Sequence, residues 1–222
     1  MAGSDTATQA AKRPYLRPAE RRRQLLDATS RVFARAGLAG ITMVEVAAEA
    51  DVSRRLVYDH FGDLATLFEA FFEDRLNRYL DAVERAAAPH GGAGNDSGES
   101  PGWDIAELLA IPVGELRAIR LIVSDTANRE LDGPRRRLRA HAEQRWIPAL
   151  DPDGSSPALS SALLWTVLTA LLAIADQVAD GELAAEQAAA LGSALVEQIP
   201  TVLATARSSQ HTSAKSNPKE HT

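Results

Sequence analysis

The chain of 222 residues has the length of one ordinary domain, or of a small domain joined to a larger one. Hydrophobic residues make up 45% and charged residues 24%, which is typical of a folded globular protein. Cysteine is absent, which excludes disulfide scaffolds, thiolate metal sites and cysteine nucleophiles, and suits a cytoplasmic location. The polar first ten residues predict no signal peptide. Few aromatic residues and abundant alanine favour an all-α fold.

Charge is distributed unevenly along the chain. Residues 12–62 contain ten Lys or Arg and six Asp or Glu, a net charge of +4, whereas the remainder carries −10. A basic amino-terminal segment on an acidic body predicts a local surface that binds a polyanion.

The amino-terminal part of the chain predicts a basic arm followed by a helix. Residues 1–17 are expected to be flexible. Pro18 suits the first turn of a helix, and apolar or small residues then recur at helical spacing to residue 36. Gly37 is expected to end this helix with a positive φ.

Residues 42–61 predict two short helices joined by a tight turn. Thr42 and Glu45 have the spacing of a capping box, so the first helix begins there and runs to about residue 50. Ser53 is expected to cap the second. Helices of this length cannot bury a core alone, so they must pack on the preceding helix in a three-helix helix-turn-helix domain spanning residues 18–63.

The segment 21–72 resembles the DNA-binding domain of the TetR family of transcriptional regulators. The matching elements are the Thr42-x-x-x-Val46-Ala47-x-x-Ala50 helix, the Val52-Ser53 turn, the Val57-Tyr58-x-His60-Phe61 motif and Leu67-Phe68. The remaining chain matches only in length and helical character. The resemblance implies a ligand-responsive homodimer that binds double-stranded DNA.

The second short helix, residues 53–60, is expected to lie in the major groove of DNA. Arg54 and Arg55 are candidates for guanine readout, because a guanidinium matches O6 and N7; contact with phosphate alone is the alternative. The resemblance implies phosphate contacts for Tyr58 and His60, with a capping or core role as the alternative for His60. The predicted DNA-binding residues are Thr42, Ser53, Arg54, Arg55, Leu56, Tyr58, Asp59 and His60.

The chain departs from the family pattern at several positions. Leu64 stands where the family commonly has a phosphate-binding lysine. Asp59 replaces a frequent aromatic residue, and its carboxylate would repel phosphate unless it accepts from cytosine N4. Asp51 replaces a turn glycine, which is tolerable because Asp supports the left-handed conformation. The basic residues of the segment 12–23 are expected to compensate by contacting the minor groove or adjacent phosphates.

Residues 64–206 are expected to form a larger helical domain for ligand binding and dimerisation. A glycine-rich flexible loop is predicted at 89–102 and a disordered tail at 207–222. Helices are predicted at 64–88, 103–111, 114–131, 134–149, 157–179 and 183–206. The uncharged run between Asp153 and Asp176 is long enough to span a membrane, but its serines, threonines and acidic flanks argue against a span.

The last two predicted helices are expected to form the dimer interface. A helix that is apolar all round must be covered on both sides, and two such helices per subunit would make a four-helix bundle across a two-fold axis. An intramolecular core is the alternative. The predicted interface residues are Leu164, Leu168, Leu171, Leu191, Leu195 and Ile199.

The resemblance also implies a small-molecule effector bound inside the acidic body. Arg120 is predicted to lie on a buried stripe with Leu116 and Ile119, where its guanidinium would need a carboxylate or an anionic ligand. For each candidate, a salt bridge, a satisfied polar group or a packing role is the alternative. The ligand-binding candidates are Trp103, Arg120, His141, Trp146, Trp165 and Asp176.

No sequence pattern predicts an enzyme, a metal site or a cofactor. The chain has no G-x-S-x-G elbow, phosphate-binding glycine loop or H-E-x-x-H motif, and its five histidines lack the helical spacing of metal ligands. The sequence therefore predicts a repressor released from a palindromic operator by an effector. An activator, an effector-independent DNA-binding protein and a helical protein-binding adaptor are the alternatives.

Overall fold

The computed structural model describes residues 17–86 and 105–215, and within these residues the secondary structure is helical without a β-strand. The all-α fold is thereby confirmed. The α-helices are α1 (Pro18–Ala36), α2 (Met43–Glu49), α3 (Arg54–Phe61), α4 (Leu64–Ala86), α5 (Ile105–Leu109), α6 (Val113–Ser124), α7 (Asp132–Leu150), α8 (Pro157–Ala179), α9 (Ala185–Glu197) and α10 (Ile199–Lys215). The predicted loop at 89–102, Trp103 and most of the basic arm lie outside the described residues.

The chain forms two compact units, Met1–Asp63 and Leu64–Thr222. In the amino-terminal unit, α2 packs on both α1 and α3. Its core contains Leu25, Ala28, Val32, Val46 and Val57, all without solvent exposure. The helix boundaries agree with the predicted ones to within one residue, and Gly37 ends α1 with a φ of 66°.

The predicted capping box of α2 is only half formed. Thr42 Oγ1 accepts from the backbone N–H of Glu45 at 3.1 Å. Within the described residues, the Glu45 carboxylate does not return a bond to the Thr42 backbone; it lies 3.9 Å from Arg35 Nη2. The Glu45 side chain therefore lies toward α1 and not toward the Thr42 backbone.

In the carboxy-terminal unit, α6 packs between α4 and α8, and α9 packs between α5 and α8. The approach of α5 to α9 requires a residue without a side chain. A Cβ atom added to Gly192 would lie 2.6 Å from Ile105 Cγ2, which is closer than packed carbon atoms come. Gly192 therefore allows a close contact between α5 and α9 within one subunit.

The predicted helix 114–131 is wrong at its carboxy-terminal end. The α-helix stops at Ser124, and Arg129–Leu131 form a separate 3₁₀ turn. Arg135 binds the carbonyl oxygens of Ile122 at 2.9 Å and Asp125 at 2.5 Å. A side chain from α7 therefore satisfies acceptors at the end of α6, where no further helical turn follows.

The single helix predicted at 183–206 is also wrong, because it is divided at Gln198 into α9 and α10. Pro200 lacks a backbone N–H and cannot continue the hydrogen-bond ladder of α9. In the opposite direction, α10 extends to Lys215, so the predicted disordered tail is wrong for residues 207–215.

Asp151 ties the α7–α8 connection to α10. Its carboxylate accepts from the backbone N–H groups of Ser155 at 3.0 Å and Ser156 at 2.8 Å, and from Arg207 Nη2 at 2.7 Å. Burial acts to raise the pKa of Asp151, but the backbone hydrogen bonds and the Arg207 charge hold it below its ordinary value. The carboxylate is therefore ionised in the folded protein near neutral pH.

Two helical stretches are long and apolar enough to cross a membrane by length and composition alone. They are Pro157–Ala179, with a mean hydropathy of 2.0, and Ala185–Ser209, with 1.2. Core helices of soluble proteins pass the same test, and the second stretch contains the division between α9 and α10. These stretches therefore do not indicate a membrane protein.

A buried ion pair joins α4 to α6. Arg75, only 4% exposed in its side chain, donates from Nη1 to Glu115 Oε1 at 2.9 Å. The guanidinium also pairs with the adjacent Asp74. Breaking a buried pair leaves an uncompensated charge, so this contact constrains the packing of α4 on α6.

We expect Glu115→Ala to lower the free energy of unfolding by about 3 kcal/mol, because it removes a carboxylate from a buried guanidinium. Arg117→Ala is the control: it breaks the exposed Arg117–Asp180 pair, whose atoms lie 3.0 Å apart, and should cost less than about 1 kcal/mol. Urea denaturation measures both. Equal costs for the two variants would contradict a structural role for the Arg75–Glu115 pair.

Candidate DNA interface and effector cavity

Two buried side chains fix the rotation of α3. Val57 is fully buried and Phe61 nearly so, which places both toward the core of the amino-terminal unit. Ser53 Oγ accepts from the backbone N–H of Leu56 at 3.3 Å and so caps the helix. Gly62, with a φ of 73°, ends it. With its start, end and inner face set, α3 can present only one face to solvent.

The exposed face of α3 carries the polar residues expected there. The Arg55 side chain is 90% exposed and Tyr58 is 50% exposed, and Arg54 is exposed beside them. Leu56 and His60 are half-buried at the edges of this face. The exposed face therefore combines two guanidinium groups and a phenol, which are donors suited to base edges and phosphates.

Asp59 lies on the same face and is balanced by a neighbour. Its Oδ2 is 3.9 Å from Arg55 Nε, one helical turn away. An exposed pair at this distance is weak, so Arg55 can exchange the carboxylate for a nucleic-acid acceptor. The negative charge at position 59 is thus partly offset before any ligand binds.

The turn between α2 and α3 has the conformation predicted for it. Asp51 has a φ of 53°, the left-handed region that Asp tolerates better than most residues. The following backbone N–H, of Val52, donates to the carbonyl of Ala47 at 3.0 Å. The departure from glycine at this position therefore preserves the turn.

Basic residues of α1 contact other side chains of the same domain, so part of the positive charge of the domain is taken up by internal contacts. Glu49 on α2 accepts from Arg31 Nε at 2.6 Å and from Arg35 Nη1 at 2.9 Å. These side-chain hydrogen bonds, led by Arg31, hold the pKa of Glu49 below its ordinary value. Arg22 stacks on the Phe61 ring at 4.7 Å from its centroid. The sequence contains a signal for these contacts: Arg31 and Arg35 are four residues apart on α1, and Glu45 and Glu49 are four residues apart on α2.

The carboxy-terminal unit encloses a cavity of about 300 Å³. It is lined by residues of α4 through α10, most of them Leu, Val, Ile or Ala. The side chains with polar atoms on its wall are Tyr79, His141, Trp146 and Trp165. Its lining includes no Asp, Glu, Lys or Arg among the residues that the structure describes. A concave apolar space with a few polar atoms is the usual form of a small-molecule site.

Three of the six predicted ligand residues line this cavity, namely His141, Trp146 and Trp165. Trp103 lies outside the described residues. Arg120 and Asp176 form an ion pair away from the lining, and the Arg120 side chain is 56% exposed. The prediction that Arg120 is buried is wrong, because the inner face of α6 is carried by Ala118, Ile119 and Ile122 and directs residue 120 outward.

The cavity also receives residues predicted for the dimer interface. Leu164, Leu168, Leu171 and Ile199 all line it, and Leu164 and Ile199 are buried within the subunit. Leu168 and Leu171 are half-buried. Their place, and that of Leu164 and Ile199, in a dimer interface stays a prediction. Leu195 is half-buried, whereas Leu191 is 47% exposed.

Sequence reasoning missed Tyr79, the α4 residue on the cavity wall. Burial raises the pKa of the Tyr79 phenol, so the hydroxyl keeps its proton. In the sequence, Tyr79 is an aromatic residue with a hydroxyl group on the apolar face of α4. Its position on the cavity wall depends on contacts with the other helices, which the sequence pattern does not give.

The fold and the exposed face of α3 define a helical protein with a helix-turn-helix domain and a separate cavity-bearing body. Residues 25–71 match the family described as bacterial regulatory proteins, tetR family. This match places residues 25–71, which include most of the helix-turn-helix domain, in the TetR family.

Curated relatives match the same end of the chain. The transcriptional regulator BetI of Burkholderia thailandensis is 39% identical over 77 residues, which cover 35% of this chain and 37% of BetI. BetI of Burkholderia mallei is 41% identical over 68 residues, covering 31% of this chain and 35% of the relative. The chain thus aligns with little more than a third of the length of these relatives.

Solved structures match over most of the chain. A TetR-like regulator from Rhodococcus sp. RHA1 superposes with a TM-score of 0.63 at 23% identity, covering 83% of this chain and 97% of that one. The multidrug binding protein EbrR, solved with malachite green, gives a TM-score of 0.51 at 22% identity, covering 80% and 98%. At these identities the similarity establishes the fold.

Proposed function

We propose that the protein is a homodimeric transcriptional repressor that binds a palindromic operator and is released by a small-molecule effector. The observation that carries the proposal is the exposed face of α3, which presents Arg54, Arg55 and Tyr58 to solvent. In a helix-turn-helix domain this helix enters the major groove, and two such helices in a dimer contact half-sites about one helical turn apart. The protein acts in the cytoplasm, where the DNA is, and performs no catalysis.

The roles on DNA follow from exposure and donor type. Arg54 and Arg55 read guanine, while Tyr58 and the half-buried His60 donate to phosphate oxygens. Thr42 and Ser53, both exposed, add phosphate contacts beside their capping bonds, and Leu56 offers an apolar contact to a thymine methyl. Asp59 accepts from cytosine or stays paired with Arg55.

Dimerisation is supported by apolar residues that α8, α9 and α10 leave exposed. Less than a third of either apolar stretch is buried within the subunit, although an apolar helix face of a soluble protein must be covered. Leu191 on α9 and Val202 on α10 are each 47% exposed. On α8, the exposed Ala158, Ala162 and Ala173 would allow the close approach of a second copy. The interface is therefore assigned to these outward residues.

Effector control is supported by the position of α4, which contributes residues both to the cavity and to the Arg75–Glu115 ion pair. Tyr79, Leu80 and Val83 of α4 line the cavity, and Arg75 lies one turn before Tyr79. Glu115, the partner of Arg75, adjoins the lining residue Leu116. A ligand that favours one arrangement of α4 on α6 can shift the equilibrium between dimer forms, provided it binds the two forms with different affinity.

The structural similarity to EbrR adds support for a cavity ligand, because that protein of the same fold holds an organic molecule, malachite green. An activator or an effector-independent DNA-binding protein would keep the α3 contacts but lack ligand-induced release. A protein-binding adaptor would show no salt-sensitive DNA binding, whereas phosphate contacts impose a steep salt dependence.

We expect Arg54→Ala and Arg55→Ala each to weaken operator binding by about 5- to 150-fold, since a guanidinium that reads guanine contributes about 1–3 kcal/mol of discrimination. The operator is sought in DNA upstream of the protein's own gene and measured by filter binding at fixed salt. Arg136→Ala, an exposed arginine on α7, is the matched control and should leave affinity unchanged. Unchanged binding by both α3 variants would contradict base readout by this helix.

We expect Leu191→Glu and Val202→Glu to convert the dimer to single chains, because each would bury an unpaired carboxylate in the interface. Sedimentation velocity measures the change in mass. Val113→Glu is the control, since Val113 is exposed on α6 at 41% and lies outside the proposed interface. A protein whose mass is the same in all three variants would exclude this interface.

A further inference from the structure

The described residues that line the cavity bear on the charge of the ligand that it can hold. Among the described lining residues there is neither a carboxylate nor a guanidinium or ammonium group. Arg120 and Asp176, which could have supplied a charge, pair with each other outside the lining. A charged ligand would therefore lose its hydration without gaining a counter-charge, which is strongly unfavourable.

Hydrogen-bond donors predominate among the polar atoms of this wall. The Trp165 indole Nε1 is buried and has no hydrogen-bond partner among the described residues. An indole N–H can only donate. His141 Nε2 lies 3.1 Å from Glu84 Oε1 without an aligned hydrogen bond, and the Tyr79 hydroxyl can donate as well. An acceptor on the ligand would satisfy a donor that the protein leaves unpaired.

Two indole rings on the wall favour an aromatic ligand. Arg139 stacks on Trp165 at 5.2 Å and Arg145 on Trp146 at 4.4 Å, measured from Cζ to the ring centroid. Neither arginine lines the cavity. Each guanidinium thus covers one face of an indole ring without lining the cavity itself. A flat ligand in the cavity can pack against the part of each indole that lines it.

We propose that the cavity binds a neutral aromatic molecule with a hydrogen-bond acceptor, such as an aryl ketone, and that the Trp165 N–H donates to that acceptor. This inference rests on the proposed effector role of the cavity and names the chemical class of the effector. A volume of about 300 Å³ is at the lower end of the range for ligand pockets, so the ligand has two or three fused rings rather than an extended chain.

The test uses the full chain and four naphthalene derivatives of similar size in isothermal titration calorimetry. They are 2-acetylnaphthalene with a neutral acceptor, 2-ethylnaphthalene without one, 2-naphthoate as an anion and 2-naphthyltrimethylammonium as a cation. We expect the ketone to bind about 3- to 10-fold more tightly than the hydrocarbon, as one neutral hydrogen bond allows. Both ions should bind at least about 100-fold more weakly than the ketone.

Trp165→Phe separates the hydrogen bond from packing. The variant should lose the preference for the ketone over 2-ethylnaphthalene while binding the hydrocarbon nearly as the parent chain does. Tighter binding of either ion, no binding of any probe, or an equal loss for ketone and hydrocarbon would each overturn the inference. Operator release is measured separately: a ketone that binds with the expected preferences but leaves DNA bound supports the ligand class and contradicts the proposed effector role.

Discussion

The burial of Val57 and Phe61 is the constraint on which the functional assignment depends. Each side chain gains roughly 1.5–3 kcal/mol from leaving water, so a rotation of α3 that exposed both would cost roughly 3–6 kcal/mol. That cost holds Arg55 and Tyr58 outward. The Ser53 cap and Gly62 fix where the helix starts and ends. The orientation of the proposed recognition surface is thereby set by apolar packing, not by the polar residues that form it.

Charge in the two units is used in different ways. In the amino-terminal unit, Arg31 and Arg35 are bound to Glu49, so the arginines of α3 provide outward charge instead. In the carboxy-terminal unit, Arg120 and Asp176 pair with each other, and the described residues that line the cavity include no Asp, Glu, Lys or Arg. This division places an exposed basic helix face on one unit and an apolar cavity in the other.

The helix-turn-helix geometry could be read from sequence because its signals are local. Ser53, Gly37 and Asp51 each act within one turn of backbone, and the structure has the predicted conformation at each. The body depends on contacts between distant segments. Arg135 ends α6 from another helix, and Leu164 and Ile199, predicted for a dimer interface, line a cavity within the subunit. Helical periodicity identifies an apolar face but not what covers it.

DNase I footprinting tests the central claim most directly, that the face of α3 opposite Val57 and Phe61 binds DNA. The parent chain is compared with an Arg55→Ala/Tyr58→Ala variant whose circular dichroism and dimer mass are unchanged. The account predicts that the parent protects a palindromic segment upstream of its own gene and that the variant protects none. Protection by the variant at the same protein concentration would contradict it.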